Sequence, residues 1–223
     1  MIGEAQLPLP ARGGELTHLA AAARKTGWTT GSGTLSMIRA EAGRLGWIEI
    51  ATRHGDPTVS MLRPLDAQHA HPRSLSAVYG LGAQPLHTDG AHLRRPPDIV
   101  VLHTETPNST PTLLWAPIDR PSHLVDAMFT VHGGSDRFLT TAYTYKDGLR
   151  YDPGCMAPCN QRGRIAERYF SDCAHHAVQH RWTMHNQFLV IDNQRALHAR
   201  AVVAERDTGR VLTRIAFQTG AHR

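Results

Sequence analysis

Cysteine is scarce. Cys155, Cys159 and Cys173 are the only three in 223 residues, an odd number that cannot all pair within the chain. Their spacing is not the Cys-x-x-Cys of a redox or structural zinc site, so free thiols are expected; a Cys155–Cys159 disulfide is the alternative, one that a cytoplasmic compartment would keep reduced. Lysine is scarcer still: Lys25 and Lys146 are alone, and the formal charge of +5 rests on scattered arginines. Dispersed guanidinium groups favour discrete carboxylate or phosphate recognition over a diffuse polybasic surface, so no nucleic acid partner is expected. No apolar run approaches the length of a membrane span, which argues against a membrane protein. Residues 1–5 lack a basic segment followed by an apolar stretch, so the cytoplasm is the expected compartment. Breaks in composition, internal repeats and low-complexity segments are also missing. With 41% hydrophobic and 19% charged residues, the chain reads as one globular domain over 1–223.

Hydrophobic periodicity divides that domain. Residues 15–26 and 35–45 carry apolar side chains at helical spacing, each followed by a glycine, and predict two helices in a helical part over about 1–46. From about 47 to 218 the pattern becomes short strands punctuated by Pro and Gly turns. Strands are expected at 47–50, 58–62, 74–80, 98–103, 112–116 and 138–145, the last turning at Lys146-Asp147-Gly148 into 149–151. His54-Gly55-Asp56-Pro57 and Asn108-Ser109-Thr110-Pro111 read as turns. Residues 118–129 and 163–178 read as helices, and strands and turns alternate from Trp182 onward. Asp207-Thr208-Gly209 is read there as a hairpin between 198–204 and 210–218. Many short strands with helices concentrated at the start and in one insertion suit a mainly β fold with flanking helices (α+β), of the jelly-roll type. Periodicity alone leaves a β-sandwich or another α+β fold equally open.

Two separated stretches carry chemistry. Gln84-Pro85-Leu86-His87-Thr88-Asp89-Gly90 sets an imidazole and a carboxylate two residues apart, on one face of an extended chain. By itself His-x-Asp is a common pair among 15 histidines. The second stretch, Asp192-Asn193-Gln194-Arg195-Ala196-Leu197-His198-Ala199-Arg200, follows an apolar strand with a turn and a further histidine. His87, Asp89 and His198 together make a two-histidine, one-carboxylate set that leaves metal positions open, the arrangement of non-haem Fe(II) oxygenases. His92, His103 and His185 are read as structural or surface residues.

With the run Arg210-Val211-Leu212-Thr213-Arg214-Ile215-Ala216-Phe217, these motifs resemble the taurine dioxygenase and clavaminate synthase-like family of Fe(II)/2-oxoglutarate-dependent dioxygenases over about residues 57–218. The resemblance implies a double-stranded β-helix (jelly roll, cupin-like). It also implies Fe(II), 2-oxoglutarate and dioxygen as cofactor and cosubstrates. Fe(II) would sit on His87, Asp89 and His198, and 2-oxoglutarate would use two of the open positions. Iron halogenases of related fold carry a small residue where Asp89 stands, so Asp89 points to oxygenation. The distal carboxylate of 2-oxoglutarate needs a fixed cation, and a guanidinium fork suits it. Arg210 matches the family's cosubstrate arginine, and a hairpin would return it beside His198. Thr112 matches the hydroxyl partner of the same carboxylate. Arg214, four residues on and therefore on the same strand face, resembles a position that reaches an anionic substrate; Arg150 is a second candidate. Asp89 and His198 are 109 positions apart, shorter than the family's usual lid-bearing insertion, and a more open site is expected.

The expected activity is hydroxylation of an unactivated C–H bond, with release of succinate and CO2. The expected substrate is a polar small molecule, amino acid derivative or peptide, anionic and carrier-bound forms included. The same iron site is also compatible with desaturation, cyclisation or epimerisation. From a different class, the chain reads as a non-enzymatic jelly-roll binding module.

Overall fold

The computed structural model describes residues 15–53, 55–72, 74–118, 122–134, 136–144 and 148–220. The expectations for residues 1–5, His54, residues 119–121 and the turn at Lys146-Asp147 lie outside them. Leu16, Ala20 and Ala23 form one buried stripe of α1 (Glu15–Thr26). Gly27, at φ 100°, ends it as a residue without a Cβ can. The chain then forms β1 (Trp28–Ser32) and α2 (Leu35–Arg44), whose first turn is capped where Thr34 Oγ1 accepts from Met37 N–H. β2 (Ile48–Ile50) and β3 (Val59–Leu62) follow, and α3 (Leu75–Tyr79) precedes β4 (Ile99–Thr104), every residue of which is buried. β5 (Asn108–Trp115) leads into an inserted layer: α4 (Ser122–Val125), β6 (Met128–Gly133), β7 (Asp136–Thr141), β8 (Tyr143–Thr144), β9 (Gly148–Leu149), β10 (Met156–Pro158) and α5 (Gln161–Cys173). The last strands are β11 (Val178–Trp182), β12 (Gln187–Asp192), β13 (Leu197–Arg200) and β14 (Leu212–Gln218).

All strand pairing is antiparallel. A large sheet runs β1-β12-β4-β14-β2, with β3 also on β14, and a smaller one runs β11-β5-β13. An isolated bridge between His87 and His198 adds the chain around residues 84–87 to the free edge of β13. From β4 to β5, and again through β11, β12, β13 and β14, the chain switches between these sheets, as it does in a jelly roll. The period of two sorts each strand's side chains. On the large sheet Ile99, Val101, Phe188, Val190, Ile215 and Phe217 pack under α1 and α2. Val100, Leu102, Leu189, Ile191, Leu212 and Ala216 face inward and meet Leu114 and Trp182 of the smaller sheet. Truncating a buried aromatic such as Phe217 to alanine costs about 3–5 kcal/mol. The outer face of the smaller sheet, with Leu197, Ala199, Leu113 and Trp115, packs against the inserted layer. Among the described residues no helix is long and apolar enough to cross a membrane.

Several expected elements are corrected. Residues 74–80 are helical, because Ser74 Oγ accepts from Ala77 N–H and Gly80, at φ 51°, stops the turn. Val78 is consequently 71% exposed rather than lining a strand face. The expected turn at Asn108-Ser109-Thr110-Pro111 is the first half of β5. Pro111 sits where pairing with β11 slips between His180 and Trp182, so its missing N–H costs no ladder bond. Within residues 118–129, described helix is confined to Ser122–Val125, and Met128 already begins β6 with Phe129 and Val131 buried. The helix expected at 163–178 starts earlier, at Gln161 behind the Asn160 cap, and Val178 already belongs to β11. The hairpin at 207–209 is also overturned: β13 and β14 lie in different sheets, and Asp207 ends a short 3-10 turn that anchors to β5.

Candidate active site

His87 and His198 exchange both backbone hydrogen bonds, N–H to O at 3.0 Å each way, so their side chains emerge side by side. Their ring centroids are 4.8 Å apart. The chain leaves the bridge at Thr88, whose N–H donates to Tyr151 O at 2.7 Å and whose Oγ1 accepts from Tyr151 N–H at 3.1 Å. Asp89 follows on the same side. Gly90 then turns the backbone at φ 66°, where a Cβ would also meet Pro97 Cδ at 3.0 Å. His87, Asp89 and His198 each offer one ligand atom, and these atoms lie within 4.8 Å of one another. His87 Nε2 is 3.9 Å from Asp89 Oδ1, and His198 Nε2 is 3.5 Å from Asp89 Oδ2.

The electrostatics suit a cation. Burial and the neighbouring His198 push the His87 imidazole below its ordinary pKa, against the opposing pull of Asp152 and Asp89. With Nδ1 held 3.0 Å from Pro85 O, neutral His87 carries its proton there and presents a free lone pair on Nε2. Burial alone would raise the Asp89 carboxyl, but Arg214, His198 and His87 together hold it well below the usual carboxylate range. Asp89 Oδ2 is buried without a hydrogen-bond partner. Two imidazoles and an ionised carboxylate with a buried oxygen that accepts no hydrogen bond fit Fe(II), with further positions open to exchangeable ligands.

Arg214 lies between Leu212 and Ala216 on the inward face of β14. Its Nη1 donates to Asp89 Oδ1 at 2.8 Å and its Nη2 to Thr52 Oγ1 at 2.6 Å, so it touches the ligand set directly. On β5, Leu114 pairs with His198 and Thr112 with Arg200. At about 3.3 Å per residue, Thr112 and Thr110 lie roughly 7 and 13 Å from Leu114 along the same inward face. Trp182 Nε1–H donates to Thr112 Oγ1 at 3.2 Å, which leaves the threonine hydroxyl's own hydrogen for another acceptor. Arg210, in the loop just before β14 rather than in a hairpin, donates to Asn108 Oδ1 at 3.1 Å and Thr110 O at 2.9 Å on β5. Burial, followed by the nearby Arg200, pulls its pKa down to about 10. Its Nε and Asn108 Nδ2 are buried without partners, beside a polar cavity of about 200 Å³ lined also by Thr104, Arg206 and Asp207. The inner face therefore offers, in order, three side chains spaced so that they could hold a metal ion, a hydroxyl donor and a buried guanidinium.

Arg150 is buried: its Nη1 donates to Leu93 O at 3.2 Å and its Nη2 to Arg94 O at 3.0 Å, with the guanidinium 5.7 Å from the Phe138 ring centroid. These bonds hold the loop after Asp89. Arg200 Nη2 likewise donates to the carbonyls of Gly80 and Gly82, pinning the approach to His87. His103 Nε2 lies 3.1 Å from Gly33 O and His185 Nδ1 lies 3.1 Å from Glu105 O, outside the cluster. No motif or spacing marks Thr52, Trp182 or Asp152 as site neighbours; each is brought there by contacts distant in sequence. Asn193 was visible only as a turn residue, and its side chain grips the Asp89 peptide.

No protein-family model and no curated protein matches the chain. Solved structures do match it in fold. An asparagine oxygenase in complex with Fe(II), (2S,3S)-3-hydroxyasparagine and succinate superposes with a TM-score of 0.68 at 16% identity, covering 90% of this chain and 78% of that one. The non-haem iron oxygenase OrfP, with Fe, succinate and (3S)-hydroxy-L-Arg, gives 0.67 at 17% identity, covering 91% and 78%. PvcB from Pseudomonas aeruginosa gives 0.62 at 16%, covering 90% and 78%. The chain thus shares the jelly-roll fold of Fe/2-oxoglutarate-dependent oxygenases.

Proposed function

We propose that the protein is an Fe(II)- and 2-oxoglutarate-dependent oxygenase. On this reading it hydroxylates an unactivated C–H bond of a free amino acid or amino-acid-derived small molecule, releasing succinate and CO2. The observation that carries the reading is the convergence of His87, Asp89 and His198 on an inner face that continues to Thr112 and Arg210. Fe(II), when bound, supplies the redox centre at which dioxygen is reduced as 2-oxoglutarate is oxidatively decarboxylated. The chain's own residues do the rest. His87, Asp89 and His198 would hold the ion; Arg210 and Thr112 would hold the distal carboxylate, the arginine by charge-assisted contacts and the threonine by its unused hydrogen. The apolar inner wall of Leu102, Leu189, Leu212 and Trp182 limits water around them.

Substrate chemistry follows from two opposite charges near the vacant side. Arg214 sits on Asp89, and the Asp152 carboxylate acts electrostatically on both His87 and His92. An amphoteric molecule answers both. The asparagine oxygenase and OrfP complexes carry hydroxylated amino acids, which supports the same class here. The test is a screen of free amino acids, peptides and carrier-bound forms with Fe(II) and 2-oxoglutarate, reading succinate and product mass together. Substrate-dependent succinate with a gain of one oxygen atom is expected from a free amino acid. Succinate with loss of two hydrogens would indicate desaturation or ring closure. No Fe(II) binding and no succinate would leave a binding module.

A further inference from the structure

Asn193 is fully buried in the turn between β12 and β13, five positions before His198, and nothing in the proposed reaction uses it. Its Oδ1 accepts from Asp89 N–H at 2.9 Å. Its Nδ2 donates to Asp89 O and to Pro97 O, both at 3.0 Å. The backbone N–H of the same residue donates to Asp98 O at 3.0 Å. One carboxamide thus engages both the N–H and the C=O of the residue that carries the proposed metal carboxylate. It ties that residue to the turn that delivers His198. The preceding residue is held as well, because Thr88 bonds the Tyr151 backbone. Between the two clamps Asp89 has little backbone freedom, although its Oδ2 has no partner of its own.

We propose that Asn193 is a positioning residue for the metal centre: it fixes the Asp89 backbone against the His198 strand and so sets the spacing of carboxylate to imidazole. The inference rests on the iron reading given above. The side chain's two donors and one accepting oxygen match the three groups they meet. Alanine leaves Asp89 N–H and O unpaired in a site water does not reach. Aspartate keeps the acceptor for Asp89 N–H but turns an oxygen toward two carbonyls. Both changes should leave the imidazoles in place while loosening the third ligand.

The test measures metal binding in the absence of 2-oxoglutarate. Zn(II) affinity is determined by competition with a chromophoric chelator, and the ligand-field spectrum is recorded with Co(II), for wild type, Asn193→Ala, Asn193→Asp and Gln194→Ala. Gln194 is the control, because it sits in the same turn and bonds Asp98 Oδ1 at 2.7 Å without touching Asp89. Loss of an outer partner of a metal ligand typically weakens binding about 10- to 100-fold, and that loss is expected in both Asn193 variants with an altered Co(II) spectrum. Gln194→Ala should bind as wild type does, whatever it does to thermal stability. Wild-type affinity and spectrum in a folded Asn193→Ala protein would overturn the proposal. So would failure of both Asn193 variants to fold, which assigns the residue to the fold instead. Wild-type protein that binds neither ion would refute the iron reading itself, a separate outcome.

Discussion

Replacing Arg210 with alanine tests the far end of the proposed cosubstrate slot. In the free protein the guanidinium bonds Asn108 Oδ1 and Thr110 O, its Nε has no partner, and burial draws its pKa down to about 10. A desolvated cation of this kind gains most when a carboxylate arrives, because the anion offsets the lost hydration. Removing one partner of a buried charged pair costs about 2–5 kcal/mol. At about 1.4 kcal/mol per tenfold, that is roughly a 30-fold to several-thousand-fold weaker grip on 2-oxoglutarate. The assay is 2-oxoglutarate affinity of the Fe(II) protein without oxygen, alongside the 2-oxoglutarate KM for succinate release in air. Fe(II) affinity should hold, since Arg210 touches none of the three ligands. Arg210→Lys should fall between, because an ammonium keeps the charge and loses the fork. Unchanged 2-oxoglutarate affinity in Arg210→Ala, or an equal loss in Arg214→Ala, would refute the assignment.

Thr112→Val deletes a hydroxyl that Trp182 leaves free to donate; a hydrogen bond to a charged group is worth about 1.5–3 kcal/mol, so the 2-oxoglutarate KM should rise while Fe(II) affinity stays. Arg150→Ala strands the carbonyls of Leu93 and Arg94 and should lower stability by about 1–3 kcal/mol in thermal unfolding, with no change in 2-oxoglutarate KM. A substrate role for Arg150 would show instead as a changed substrate KM at unchanged stability. In metal-free protein, Asp89 has a carboxyl held below its ordinary value, so its contribution is complete above about pH 4 and is lost as pH falls further. The stability difference between wild type and Asp89→Asn should therefore be flat near neutrality and shrink in acid. A difference that grows on acidification would contradict the sign of that shift.

Much of the site was legible because its residues obey local rules. The i, i+2 spacing of His87 and Asp89 puts both on one side of an extended chain, and an apolar strand before His198 delivers it to the sheet interior. Arg214 lies on β14 as its apolar neighbours suggest, whereas Arg210 precedes that strand, so the spacing of four does not by itself relate the two. What was illegible depends on partners distant in sequence. Residues 74–80 alternate like a strand, yet among the described residues no strand pairs with them, and the Ser74 cap makes a helix of the five residues Leu75–Tyr79. Pro111 reads as a turn unless the slip in β11 is known. Arg150 looks like a free cation until the carbonyls of Leu93 and Arg94 are seen, more than fifty positions away. Asn193 looks like a turn former, and its three side-chain bonds reach about a hundred positions back to Asp89 and Pro97.

The most direct measurement of the central claim is an oxygen-free titration of the protein with Fe(II) and 2-oxoglutarate, followed by visible absorption. A 2-oxoglutarate chelate of Fe(II) produces a charge-transfer band that neither component gives alone. The account predicts this band for wild type at one iron per chain, and its absence from His87→Ala and His198→Ala proteins that remain folded. A band of undiminished intensity in both alanine variants, or none in wild type at saturating iron and 2-oxoglutarate, would contradict it.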